Sequence, residues 1–132
     1  MEINPVINSS TIMSKVDISS RKDIEVILST FYDKLLADPS TSSIFQEIDM
    51  DHHLPIIVDF WEMILLDGMN YKGNPFEKHR GLNLNSQHFS TWLAHFENTI
   101  NQNYHGPKAD LALQRAKSIA FIFSSKLGLT IS

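Results

Sequence analysis

The chain has 132 residues, a net charge of −4 and no cysteine. That size suits one domain with a core large enough to enclose a ligand. The charge, with no lysine or arginine cluster, argues against nucleic acid or an anionic membrane as a partner, and the missing thiols exclude disulfides, thiolate-held iron–sulfur clusters and a cysteine nucleophile.

Hydrophobic residues make up 42% of the chain, an ordinary globular share that excludes wholesale disorder. No basic region followed by an apolar run opens the sequence, so no signal peptide is expected. No apolar stretch nears the ~18–20 residues that a bilayer span needs. The expected location is the cytoplasm, with no membrane partner.

Residues 1–18 are polar and unpatterned, and are expected to form a mobile tail or a loosely packed arm ahead of a single domain over 19–132. Ser19 or Ser20 reads as a helix N-cap, with Asp23 in the first turn. Ile24, Ile27, Leu28, Phe31, Tyr32, Leu35 and Leu36 then recur at spacings of three and four, one face of an amphipathic helix. That helix should stop near Ala37, before Asp38-Pro39. Pro39 to Phe45 suits a single helical turn. Asp49 to Asp51 starts the next helix, with Leu54, Ile57, Val58, Trp61, Ile64 and Leu65 on one face. Pro55 is tolerable there only within the first turn, and Gly68 is suited to a left-handed helix end.

Tyr71 to His79 reads Tyr-Lys-Gly-Asn-Pro-Phe-Glu-Lys-His. Gly73, Asn74 and Pro75 break it, so the spacing predicts only a short helix from Pro75, ending by Gly81 with His79 near its last turn. Ser86 is the expected cap of a helix holding Phe89, Trp92, Leu93, Phe96 and Ile100, ending around Tyr104 to Gly106. Pro107 starts the last helix, whose core face is Leu111 or Ala112, Ala116, Ile119, Ala120, Phe123 and Leu127. No strand pattern is present. The fold class is all-α, with four substantial helices and shorter ones.

Polar residues on the apolar faces carry the chemical signal. Tyr32 shares a face with Leu28, Leu35 and Leu36; taken alone, it reads as a core tyrosine whose hydroxyl finds a partner at the rim. His53 shares a face with Ile57, Phe60 and Trp61, and alone reads as a helix-start histidine in solvent. His88 and His95 flank Trp92, about two turns apart, and read as surface or rim residues. No His-x-x-x-His or Glu-x-x-His pair is present, which leaves a zinc or di-iron bundle site little support.

The order of these signals is specific. Phe-Tyr stands at 31–32, Phe45 at a corner, His53 four residues before Ile57, and Phe-Trp at 60–61. Tyr-x-Gly-x-Pro-x-x-x-His follows at 71–79, then His-Phe-x-x-Trp-Leu-x-x-Phe at 88–96. From about residue 19 to 128 the chain resembles the truncated haemoglobins, group III most closely. The resemblance implies a two-over-two helical sandwich enclosing haem b, held without covalent attachment. It makes His79 the proximal iron ligand and Tyr32 the distal tyrosine that hydrogen-bonds a gas ligand. His53 matches the distal histidine near the pocket mouth, and Trp92 the tryptophan whose indole points into the pocket. Phe45 matches the phenylalanine on the porphyrin face, and Ile57, Phe60 and Trp61 the distal wall, with Phe31, Phe89 and Phe96 as further cofactor contacts. His88 is the rival for the iron. His79 is preferred because its interrupted segment and the Pro-x-x-x-His spacing match the family's short proximal stretch. Lys78 and Arg80 flank it, either reaching a haem propionate or standing exposed.

The implied ligands are oxygen, nitric oxide and carbon monoxide. The implied roles are an oxygen binder, store or sensor, or a redox enzyme such as a nitric oxide dioxygenase or peroxidase. No Gly-x-Gly-x-x-Gly fingerprint is present, so an enzyme would take electrons from a separate reductase. The alternative is a haem-free helical sensory or protein-interaction module built on the same scaffold.

Overall fold

The computed structural model describes residues 15–46, 48–73 and 84–129. The described elements are α1 (Arg21–Ala37), α2 (Ser42–Phe45), α3 (Met50–Leu66), α4 (Ser86–Asn103) and α5 (Pro107–Lys126). The expected short helix from Pro75 and His79 itself lie outside the described residues.

Helix α1 begins where the sequence says it should: the Ser20 side chain accepts from the Asp23 N–H, and Asp23 places negative charge in the first turn. Its apolar stripe buries Ile24, Ile27, Leu28, Phe31, Tyr32 and Leu35, each contributing roughly 1.5–3 kcal/mol of transfer free energy. Arg21 bridges to α3 through Asp59 and Glu62, both at 2.8 Å. At the far end, the buried Thr41 hydroxyl donates to the Leu35 carbonyl at 2.7 Å. That bond turns α2 back under α1 and brings Phe45 inward.

Helix α3 departs from expectation at both ends. Pro55 lies at the sixth helical position, past the first turn, so it offers no N–H to the Asp51 carbonyl. The helix continues because Val58, Trp61 and Leu65 are buried on one face, which outweighs one missing bond near its start. The left-handed residue at its end is Asp67 (φ 58°), not Gly68. Gly68 answers a different need: a Cβ there would meet the Glu62 side chain at 2.7 Å.

Helix α4 packs against α5 and α1, while α1 also packs against α3. The α5 face is narrower than expected. Ala109, Ala112, Ala116, Ala120 and Ser124 are its buried residues, whereas Leu111, Ile119 and Phe123 are half-buried. A stripe of small side chains lets α5 lie close against its neighbours.

Residues 15–18, expected as the end of a tail, are pinned to the domain. Val16 bridges Tyr104, the Val16 carbonyl accepts from the His105 N–H, and Ile18 is buried. Asp17 does more. Its carboxylate accepts from the N–H groups of Lys108 and Ala109 at 2.9 and 2.8 Å. These are the second and third residues of α5, the donors that an N-cap side chain normally satisfies. The cap position itself is Gly106, at φ 143°, where a Cβ would collide with Asp17 at 2.6 Å. The glycine clears the space, and Asp17 supplies the cap from 91 residues away. Burial opposes the charge on Asp17. The three backbone donors and Lys108 prevail and hold its carboxyl below the ordinary 3.8.

Candidate functional site

The described helices enclose a cavity of about 270 Å³, close to the lower end of the ~300–1,000 Å³ typical of small-molecule sites. Helix α1 supplies Phe31 and Tyr32, α2 supplies Phe45, and α3 supplies His53, Ile57, Phe60 and Trp61. Helix α4 adds Phe89 and Trp92. All nine were expected at a cofactor, and the fold brings them together. Tyr71 and Leu84, on either side of the undescribed stretch 74–83, also line the cavity. His79 falls within that stretch.

Phe96 stands apart from these nine. It is buried but does not line the cavity. Instead it stacks between Trp61 (4.9 Å, 22°) and Trp92 (5.8 Å, 12°) and meets Phe31 edge-on at 5.3 Å. The cause is helical spacing: Phe96 lies one turn past Trp92, which places it behind the wall and not on it. Such offset and edge contacts are worth roughly 0.5–1.5 kcal/mol each beyond burial, so Phe96 sets the angle of both indoles.

Several lining residues went unrecognised in the sequence. Ile119, Ala120 and Phe123 of α5 close one side, and Ile48, His52 and Ile56 lie near the start of α3. The α5 residues carried a signal, since they stand on its expected core face; nothing local distinguished core from lining. Tyr71 packs edge-on against Phe60 at 5.2 Å.

The polar groups are few and unequal. Tyr32 is 5% exposed, and among the described residues its hydroxyl has no hydrogen-bond partner. Burial alone pushes that hydroxyl's pKa far up, so it stays a neutral O–H donor. Its ring contacts are Phe31 (5.0 Å), His53 (5.7 Å) and Phe45 (5.9 Å). The Trp92 indole packs on Phe31 and Phe96, and among the described residues its N–H also has no acceptor. A buried donor without an acceptor costs roughly 1–3 kcal/mol, so the Tyr32 hydroxyl, with the half-buried Trp92 N–H beside it, marks a place suited to an acceptor from outside the chain.

His88 also lines the cavity, in a role the sequence did not suggest. Asn85, not Ser86, caps α4. Its side chain accepts from the His88 N–H at 2.9 Å, and in return the Asn85 N–H donates to His88 Nδ1 at 3.0 Å. This is a capping box with histidine where glutamate or glutamine is usual; the signal was Asn-x-x-His at 85–88. A neutral imidazole has one lone-pair nitrogen. With Nδ1 accepting, Nε2 carries the proton and cannot bind a metal, which weakens His88 as rival for the iron. His95, by contrast, faces away from the cavity and bonds Asp38 Oδ2 at 2.7 Å.

Residues 17–124 match the family described as bacterial-like globin. Over 120 residues the chain is 29% identical to the group 3 truncated haemoglobin ctb of Campylobacter jejuni, covering 86% of this chain and 94% of that protein. The crystal structure of group III truncated haemoglobin from Campylobacter jejuni superposes with a TM-score of 0.77 at 30% identity, over 86% of this chain and 94% of that one. That of truncated haemoglobin from Tetrahymena pyriformis, in its Fe(III) form, gives 0.58 at 28% identity, over 80% and 87%.

Proposed function

The chain belongs to the bacterial-like globin family, as a truncated haemoglobin most like group III, and on that premise we propose that it holds haem b through His79 and binds oxygen and related diatomic gases. Globins bind haem and small ligands such as oxygen; the choice of residues is our reading. The observation that carries it is the buried Tyr32 hydroxyl in an aromatic cavity, without a hydrogen-bond partner among the described residues.

The residues present fit haem. A flat, mostly apolar cofactor needs aromatic walls, and Phe45, Phe60, Trp61 and Phe89 offer them. The His79 imidazole would hold the iron; both described flanks of its segment, Tyr71 and Leu84, reach the cavity. When bound, haem would supply an iron that takes a diatomic gas as ligand. Tyr32 and Trp92 would then offer an O–H and an N–H to that guest, and a water-poor cavity would strengthen such bonds. His53, edge-on to Tyr32, stands beside them at the half-buried rim of the cavity. Phe31 and Ile57 exclude water around the donors.

Donors of this kind slow oxygen release. The arrangement favours retention of oxygen, or nitric oxide oxidation and peroxidase-like chemistry with electrons from a separate reductase, over rapid delivery. Among the described residues no helix is long and apolar enough to cross a membrane. A haem-free interaction module would use the same aromatics for packing, but would have no reason to bury a Tyr32 hydroxyl that has no partner among the described residues.

The test is a visible spectrum after mixing the purified chain with haemin. A Soret band that shifts when carbon monoxide meets the ferrous form is expected; its absence excludes the haem reading in favour of the haem-free module. His79→Gly should abolish or greatly weaken haem retention. If His88→Gly does so and His79→Gly does not, the ligand assignment is wrong.

A further inference from the structure

We propose that His88 is a positioning residue whose Nε2–H holds the carboxylate edge of the cofactor at the cavity rim, an inference that rests on the haem reading above. Three observations converge on it. His88 lines the cavity. Its Nδ1 is committed to the Asn85 N–H at 3.0 Å, which fixes one tautomer and orients the ring. Its other nitrogen therefore carries a proton that has no acceptor among the described residues. Burial holds the His88 pKa below the usual 6.5, so the neutral form with that single tautomer prevails at neutral pH.

Polarity decides which acceptor this donor meets. The inner surface of the cavity is formed by buried side chains such as Phe31, Tyr32, Phe45, Trp61 and Phe89. His52, His53, Tyr71 and His88 are exposed or half-buried and mark the rim. A tetrapyrrole with two carboxylates cannot bury them unpaired in an apolar interior without a large desolvation cost. They belong at the rim, and a carboxylate accepting from an oriented N–H forms one of the stronger hydrogen bonds. The capping box therefore has a second consequence: the interaction that starts α4 also aims the donor.

Substitution separates cap from donor. Glutamate is the usual capping-box partner, so His88→Glu keeps the cap but replaces the donor with an acceptor of like charge. His88→Gln keeps an acceptor for the Asn85 N–H and retains an N–H₂ donor. His88→Ala loses both. The full-length protein is loaded with haemin, and the rate of haem loss to a scavenging apoglobin is measured. Expected is loss roughly tenfold or more faster for His88→Glu and His88→Ala, with His88→Gln near wild type. With haemin dimethyl ester, whose carboxylates are blocked, the gap between wild type and His88→Ala should shrink.

Nitrogen-15 NMR of the imidazole gives a readout independent of haem loss, and should show the Nε2–H tautomer at pH 7. Wild-type haem retention by His88→Glu would reduce His88 to a cap and overturn the proposal. So would an Nδ1–H tautomer, or an undiminished gap with the diester. If the wild-type chain takes up no haemin at all, the functional reading fails and this inference with it; loss of the inference alone leaves haem uptake intact.

Discussion

At the scale of single residues, Tyr32 shows what it costs to keep a site open. Among the described residues its O–H has no partner in a buried aromatic nest, a position where phenylalanine would pack without penalty. Tyr32→Phe should therefore raise the melting temperature of the haem-free protein, by an amount corresponding to about 1 kcal/mol. The same change should speed oxygen dissociation from the haem-loaded form, read by stopped-flow. An unchanged oxygen rate removes the tyrosine from its proposed role, and a lower melting temperature would mean that the hydroxyl has an internal partner after all. Tyr32 and Trp92 were legible in the sequence because they interrupt apolar faces with polar tips. His79 was singled out only through the resemblance, since local chemistry does not rank it above His88. The role of His88 was hidden because histidine rarely replaces glutamate in a capping box. Phe96 could not be told from the lining aromatics, because an aromatic behind a wall has the same periodicity as one on it.

Among the helices, the interactions at the ends decide how the faces meet. Asp17 caps α5 in place of Gly106, and Asp17→Ala should cost about 1–2 kcal/mol by urea denaturation at neutral pH. Because its folded pKa lies below the unfolded 3.8, this contribution is complete above 3.8 and fades as pH falls through the lower, folded value. Wild type and Asp17→Asn should accordingly converge in stability as the pH is taken below 3.8, and a constant gap would show that the carboxylate charge is not what stabilises the cap. A second link joins the end of α1 to α4. The His95 bond, with the Ser40 backbone and hydroxyl, holds the Asp38 carboxyl at a pKa of about 2. In His95→Ala, NMR titration should find Asp38 moved up towards 3.8, and no movement would leave Ser40 as the sole cause. The helices themselves could be read from spacing and caps. The Asp17 cap could not, because its partners lie 91 and 92 residues away and no local pattern reports so distant a contact.

For the molecule as a whole, the cavity is a gap in the core. Apolar side chains around a void lose contacts that a filled core would have, so the haem-free protein should be the less stable form. Haemin should raise the melting temperature in a concentration-dependent way, by roughly 4 kcal/mol of added stability at a thousandfold excess over its dissociation constant. A melting temperature indifferent to haemin would separate the cavity from the fold's stability and count against specific binding there. The all-α architecture followed from periodicity alone. The cavity did not, because burial patterns identify inward faces without saying whether those faces touch one another.

The strap of residues 15–18 also bears on the order in which the chain folds. Pairing Asp17 with α5 closes a loop of 91 residues, which costs about 4 kcal/mol of chain entropy if nothing between has formed. Once the intervening helices have docked, the ends are already near one another and most of that cost disappears. The strap should therefore close late, after the barrier to folding has been crossed. Asp17→Ala should then accelerate unfolding while leaving the refolding rate nearly unchanged. Stopped-flow chevrons of the two proteins would overlay on the refolding limb and separate on the other, and a slowed refolding limb would place the strap in the folding nucleus.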